Sequence, residues 1–248
     1  MEIVLQIILT FIIGFVASVI GSLGGSGGLL SMPFLIFIGL PANSAIATNK
    51  CGSIGLCIGS ITKFAKEKKI MWEYAIPFSI MAVVAGFIGA KIMLSIDPKL
   101  LARLIGIFII ITIPFMFISK DMGVKKRATT FTKKIIGSIT YFALMIYGAI
   151  FGGGYNVFMI INYSVFFGAT IIEANATDMV PWFFVSIVSL IMFSLAGIVN
   201  WMLGITIFLG MILGGYVGAH IAVKKGDVWV KKVVAVLLVL AAVKLIFF

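Results

Sequence analysis

The sequence predicts an all-α polytopic membrane protein built as two inverted repeats of about five hydrophobic segments each, with eight full spans plus two short half-helix or re-entrant segments. Three observations predict this. Of the 248 residues, 62% are hydrophobic and 11% charged, with a mean hydropathy of +1.25, far outside the range of a soluble domain. Apolar stretches of about 20 residues, enough to cross a ~30 Å hydrocarbon core as helix, recur along the chain between Gly, Pro and Lys punctuation. The two halves also match at an ungapped offset of 129, while the charges of their matching loops do not.

The segments run 3–22, 27–40, 43–63, 71–95 and 99–119 in the first half, and 132–151, 153–168, 171–197, 201–223 and 228–248 in the second. The repeats therefore fill residues 1–119 and 132–248, joined by a basic linker at 120–131. The opening "MEIVLQIILTFIIGFVASVIG" carries Glu2 where a secretory signal is positive, and reads as an uncleaved first span. The second segment of each half is short: the 14 residues of 27–40 reach about 21 Å at ~1.5 Å per residue. The third segment of each half holds the polar residues. Trp72 and Trp201 open the fourth segments and read as interfacial anchors. Pro181 reads as a kink in the eighth segment. Lys99, Arg103 and Lys244 lie near segment ends, from which long side chains snorkel to the headgroups.

At the offset of 129, Gly24 and Gly25 fall on Gly153 and Gly154, Gly39 on Gly168, Ala45 on Ala174, and Ala47-Thr48 on Ala176-Thr177. Trp72 falls on Trp201, and "GFIGAKI" (86–92) on "GYVGAHI" (215–221). Small residues are common in membrane helices, but the tryptophans and the unbroken register argue for duplication. Basic residues cluster in three loops: Lys63, Lys66, Lys68 and Lys69; Lys120, Lys125, Lys126, Arg127, Lys133 and Lys134; and Lys224, Lys225, Lys231 and Lys232. Such loops face the cytoplasm. The counterpart of the first is the uncharged "AGIVN" (196–200), and that of the third is the nearly bare "SIDPK" (95–99). Equivalent loops thus lie on opposite sides, the repeats are inverted, and both termini are expected outside.

Inverted repeats are a transporter architecture, with substrate held near the bilayer midplane at broken helices. A passive anion channel and a non-transporting membrane scaffold remain alternatives. The net charge of +11 comes from loop clusters between apolar runs, so no nucleic-acid partner is expected. HExxH and CxxC are absent, and the chain has one histidine, His220; no enzyme activity, metal or cofactor is expected. Cys51 and Cys57 lie ~120° apart around a helix, which implies no disulfide. The glycine-rich "GSLGGSGG" (21–28) lacks the GK[ST] ending of a phosphate loop.

A polar group within a span is a functional candidate by default. The richest cluster is "NSAIATNKCGS" (43–53), with "IEANATDM" (172–179) as its counterpart. Pro41 with Asn43 or Ser44 suits a helix start. Lys50 beside Thr48, Asn49 and Ser53 suits an oxyanion, whose lost hydration is replaced by direct hydrogen bonds; the alternative is an internal pair with Asp178 or Glu173. Thr48 and Lys50 point ~200° apart on a regular helix, so both face one ion only if the helix breaks there. Asp178 and Glu173 are candidate proton-coupling groups, since burial favours the neutral carboxyl.

"GSLGGSGGLLSMPFLIFIGLP" followed by "AIATNK", echoed by "FGGGYNVFMI" and "ANATD", resembles the TauE/SafE family of membrane transporters, the sulfite exporters. The resemblance covers nearly the whole chain; in the second half Tyr155, Asn156 and Asn162 depart from the family's usual apolar continuation. It implies transport of small sulfur-containing anions, such as sulfite, thiosulfate or organosulfonates, across the cytoplasmic membrane of a prokaryote. Proton or ion coupling goes with it, and homo-oligomeric assembly is compatible with it. The positions that match and are expected to bind substrate are Gly24, Gly25, Gly27, Gly28, Thr48, Asn49, Lys50, Gly152, Gly153, Gly154 and Thr177; Asp178 also matches and stays, with Glu173, a proton-coupling candidate. Glycine-rich half-helix N-termini agree with an anion independently, because they present free N–H groups and a positive dipole end.

Overall fold

The computed structural model describes residues 3–25, 27–97, 99–101, 103–104, 123–152 and 154–233. Among these, eight α-helices follow in order: α1 (Ile3–Ser22), α2 (Gly28–Phe37), α3 (Ala42–Lys66), α4 (Trp72–Ser95), α5 (Phe131–Phe151), α6 (Tyr155–Phe166), α7 (Ile171–Leu195) and α8 (Trp201–Lys225). Residues 99–101, 103–104 and 227–233 are also helical. The spans expected at 99–119 and 228–248 lie almost wholly outside the described residues, as does Gly153.

Helices α1, α4, α5, α7 and α8 are long and apolar enough to cross a membrane. Helix α3 has the length of α7, 25 residues, but its polar run makes it the least apolar of the long helices. Its polar residues are enclosed by neighbouring helices: Thr48, Asn49, Lys50, Ser53 and Ser60 are all buried. Helices α2 and α6 have 10 and 12 residues, which at ~1.5 Å each extend only about 15 and 18 Å. Each is stopped at its far end by a glycine in left-handed backbone, Gly39 (φ 105°) and Gly168 (φ 70°), a region that β-carbons disfavour. Helix α3 starts after Pro41, which has no side chain that can cap; Asn43 Oδ1 accepts from the first-turn Ser44 N at 2.9 Å, while Ser44 Oγ donates to Ile198 O, 2.8 Å away.

The observed helix limits recur at the offset of 129: α3 and α7 coincide at both ends, and the other pairs differ by at most two residues. Packing recurs in the same way, since α3 lies along α8 and α7 along α4, while α1 lies along α8 and α5 along α4. The α3–α8 seam is the tighter one. A β-carbon at Gly55 would overlap Phe208 O, and one at Gly59 would overlap Ile212 O, so only glycine lets these backbones meet.

Two threonines tie the halves together. Thr48 Oγ1 accepts from Asn200 N at 3.0 Å, and Thr177 Oγ1 accepts from Met71 N at 3.0 Å. Each fixes the residue before a helix of the other half. The three basic loops gather at one end of the molecule, around the start of α7: Met71 binds Thr177, Arg127 N donates to Gly168 O, Ile171 N to Gly123 O, and Ile172 N to Asp227 Oδ1. The uncharged 196–200 loop meets the start of α3 at the other end.

Candidate functional site

The chain breaks between α1 and α2 and again between α5 and α6, and the breaks face each other. A β-carbon built on Gly28 would lie 3.6 Å from Gly152 O. At the first break, one built on Gly27 would overlap Ala17 O, so only glycine lets the chain fold back on α1. Two asparagines of the second half hold this loop. Asn156 Nδ2 donates to Gly25 O (2.9 Å), Gly21 O (3.3 Å) and Asn175 Oδ1 (3.0 Å), and Asn175 Nδ2 donates to Ser22 O (2.7 Å). The first turn of α2 carries no side-chain cap; Leu30 N and Ser31 N donate to Gly27 O, and the positive end of the helix dipole lies at the break.

Between the breaks lies a cavity of about 40 Å³. One water needs ~10–15 Å³ by this measure, so there is room for about three waters or one small polyatomic ion. Lys50 lines it and is 1% exposed. Its Nζ lies 3.5 Å from Gly148 O and 4.6 Å from the centre of the Trp182 ring, and no carboxylate pairs with it among the described residues. Trp182 is backed by Tyr155, stacked at 4.3 Å and 20°. Tyr155 OH in turn donates to Asp178 Oδ1 at 3.0 Å, and Tyr141 OH donates to the same oxygen at 3.2 Å. Lysine and aspartate are thus linked through two stacked rings and a hydroxyl rather than by an ion pair. Met32, Met179 and Leu56 complete an apolar wall.

Of the residues singled out in the sequence, Gly25, Gly27, Gly28, Asn49, Lys50, Gly152 and Asp178 line this cavity. Gly24 and Gly154 do not; they supply left-handed turns (φ 94° and 75°) at the breaks. Thr48 and Thr177 are also elsewhere. Helix α3 is unbroken through residues 42–66, so Thr48 points away from Lys50, and both hydroxyls serve the loops described above. Glu173 lies at the basic end, where it closes a capping box with Thr170 and pairs with Lys126 at 2.7 Å. Ser53, named beside Lys50 in the sequence, also lines the cavity, and the cavity residues that sequence reasoning did not select include Tyr155, Asn156 and Trp182. The break in the expected apolar run at Tyr155-Asn156 was a signal for two of them; Trp182 follows Asp178 by one helical turn.

The family model "Sulfite exporter TauE/SafE" matches residues 10–245 of the chain. Among curated proteins, the chain is 25% identical over 226 residues to a "probable membrane transporter protein" of Haemophilus influenzae, covering 91% of this chain and 88% of that one. It is 24% identical to "probable membrane transporter protein ORF9" of a Sinorhizobium species, covering 90% and 86%. It is 23% identical to "probable membrane transporter protein YfcA" of Escherichia coli K12, covering 91% and 84%. No solved structure matches the chain.

Proposed function

The chain belongs to the sulfite exporter TauE/SafE family, and on that premise we propose that it is a secondary transporter exporting small sulfur-containing anions such as sulfite, thiosulfate or organosulfonates. The observation that carries this reading is Lys50. A buried ammonium without a counter-charge is costly, and one carbonyl plus a cation–π contact offset only part of that cost. An anion in the cavity supplies the missing charge. The uncapped start of α2 adds partial positive charge on the same side, and the cavity has the size of one small ion.

In this reading the two halves, 1–119 and 132–248, are inverted repeats, and the cavity between them is the site they expose alternately. The recurrence of helix limits and interhelical partners at one offset supports the duplication. The gathering of basic loops at one end supports placing that end, with the 120–131 linker, in the cytoplasm and the termini outside a prokaryotic inner membrane. Asp178 is the coupling residue: it faces the anion cavity, and a proton on it would balance the incoming charge. Glu173, paired with Lys126 away from the cavity, takes no part.

Proteoliposomes test the proposal. Labelled sulfite or thiosulfate should enter vesicles, unlabelled substrate inside should drive counterflow, and Lys50→Ala should abolish uptake while the protein elutes unchanged on size exclusion. Flux without counterflow identifies a channel. No flux of any of these anions removes the transporter reading.

A further inference from the structure

Asn156 has an atom that no described residue serves. Its Nδ2 shares its two hydrogens among Gly25 O, Gly21 O and Asn175 Oδ1. Three acceptors around one end of the amide fix its orientation, so Oδ1 is the end that remains. That oxygen is buried and has no donor among the described residues, in a residue 8% exposed on the wall of the cavity. Asn49, 4% exposed on the same wall, also leaves Oδ1 without a partner. Asn49 makes no side-chain hydrogen bond among the described residues, so its amide is free to turn; that of Asn156 is not.

A buried acceptor left unserved is destabilising and rare in native structures. Bare oxyanions and halides offer only acceptors. They satisfy Lys50 and the N–H groups of the glycine break, but they set a lone pair against Asn156 Oδ1. An anion that keeps one proton satisfies both walls: its charged oxygens face Lys50 and its O–H donates to Asn156.

We propose that Asn156 is a specificity residue that reads a hydrogen-bond donor on the substrate, so that the cavity selects small singly charged oxyanions that still carry an O–H over equally sized ones that carry none. This rests on the reading of the cavity as the anion site. Asn175 holds the glycine loop beside it without presenting an unserved acceptor, and is a positioning residue.

Isosteric pairs test this directly. Hydrogen sulfite and chlorate are pyramidal monoanions of similar size, one with a donor and one without; hydrogen carbonate and nitrate are the planar equivalents. Binding of each is measured by titration calorimetry on the purified full-length protein, at one mildly acidic pH and one ionic strength. The wild type should favour the donor-bearing member of each pair by about tenfold or more, the worth of one hydrogen bond to a buried group. Asn156→Ala should bring the ratio close to one. Asn175→Ala loosens the same loop and should keep the ratio even where both affinities fall. Equal binding of the pairs by the wild type overturns the proposal without need of any variant, and means that water serves Oδ1. A ratio that survives Asn156→Ala overturns the role of Asn156. If none of the four anions binds, the anion-site reading itself fails, an outcome distinct from either of these.

Discussion

Helices α3 and α7 begin and end 129 residues apart, and each uses a threonine at the same register to fix a loop of the other half. Between those threonines and the helix centres the chemistry diverges. Where α3 carries Asn49-Lys50, α7 carries Asp178-Met179, and all four residues line one cavity. The scaffold repeats and the site does not. A pair of identical lysines would repel across so small a space, and a pair of identical aspartates would repel an anion. On the reading of the cavity as an anion site, one cation, one carboxylate and two neutral neighbours would hold a single ion off-centre.

The sharpest way to break this comparison is to move the charge. The double variant Lys50→Met with Met179→Lys keeps composition and places the lysine at the equivalent position. It loses the contacts of Lys50 with the Trp182 face and Gly148 O, and removing such a buried charged partner costs ~2–5 kcal/mol. Anion uptake in proteoliposomes should fall by roughly a hundredfold. Uptake within threefold of wild type would show that the two positions are interchangeable and that the asymmetry is incidental.

The two seams differ as well as the two helices. Gly59 in α3 corresponds to Val188 in α7, and a β-carbon at Gly59 would overlap Ile212 O. Gly59→Val should therefore force α3 and α8 apart, at a cost of about 1–3 kcal/mol or more, read as a large loss of thermal stability in detergent. Val188→Gly in the looser seam should lose less than Gly59→Val. A Gly59→Val protein as stable as wild type would contradict the backbone contact.

Much of this was legible in the sequence, for identifiable reasons. Helix limits follow from where Gly, Pro and Lys interrupt apolar runs, so the short second segments were visible as short stretches between punctuation. Lys50 stood out because charge within a span is rare. Thr48 and Thr177 were harder. Recurrence in both halves looked like a shared ligand set, whereas the structure uses both hydroxyls to accept backbone N–H groups across the halves, a contact that exists only after the halves interlock. The 200° between Thr48 and Lys50 was the available clue, and the unbroken α3 resolves it. Trp182 was hidden, and Asn156 showed only as a departure from an apolar run, because an aromatic or amide near a break gains meaning only from what packs opposite, here Lys50 and the Gly21–Gly25 turn.

The threonine locks give a smaller and more specific prediction. Thr48→Val and Thr177→Val each remove an acceptor from a backbone N–H next to a helix start, worth about 1 kcal/mol, and neither touches the cavity. Each should lower stability modestly and by similar amounts, with anion affinity within twofold of wild type in binding titrations. An affinity loss of tenfold in Thr48→Val alone would return Thr48 to the site and reopen the question of a break in α3.

The smallest effect is expected at the basic end, where Glu173 meets Lys126 with the lysine largely exposed. Glu173 holds the Lys126 ammonium above its ordinary pKa, chiefly through their hydrogen bond. A lysine raised by folding stabilises the folded state below its unfolded pKa, and that contribution is lost as pH rises through the folded value. At neutral pH the pair is therefore fully formed, yet solvent and salt screen it, and exposed pairs contribute roughly 0–1 kcal/mol. Lys126→Ala should shift the thermal midpoint by little, and by less still in high salt, because Glu173 keeps its capping role with Thr170. Glu173→Ala removes both the pair and the cap and should cost more than Lys126→Ala, by about 1 kcal/mol. If instead Glu173→Ala left stability intact and abolished pH-driven uptake, proton coupling would belong to Glu173 at the basic end and not to Asp178 in the cavity.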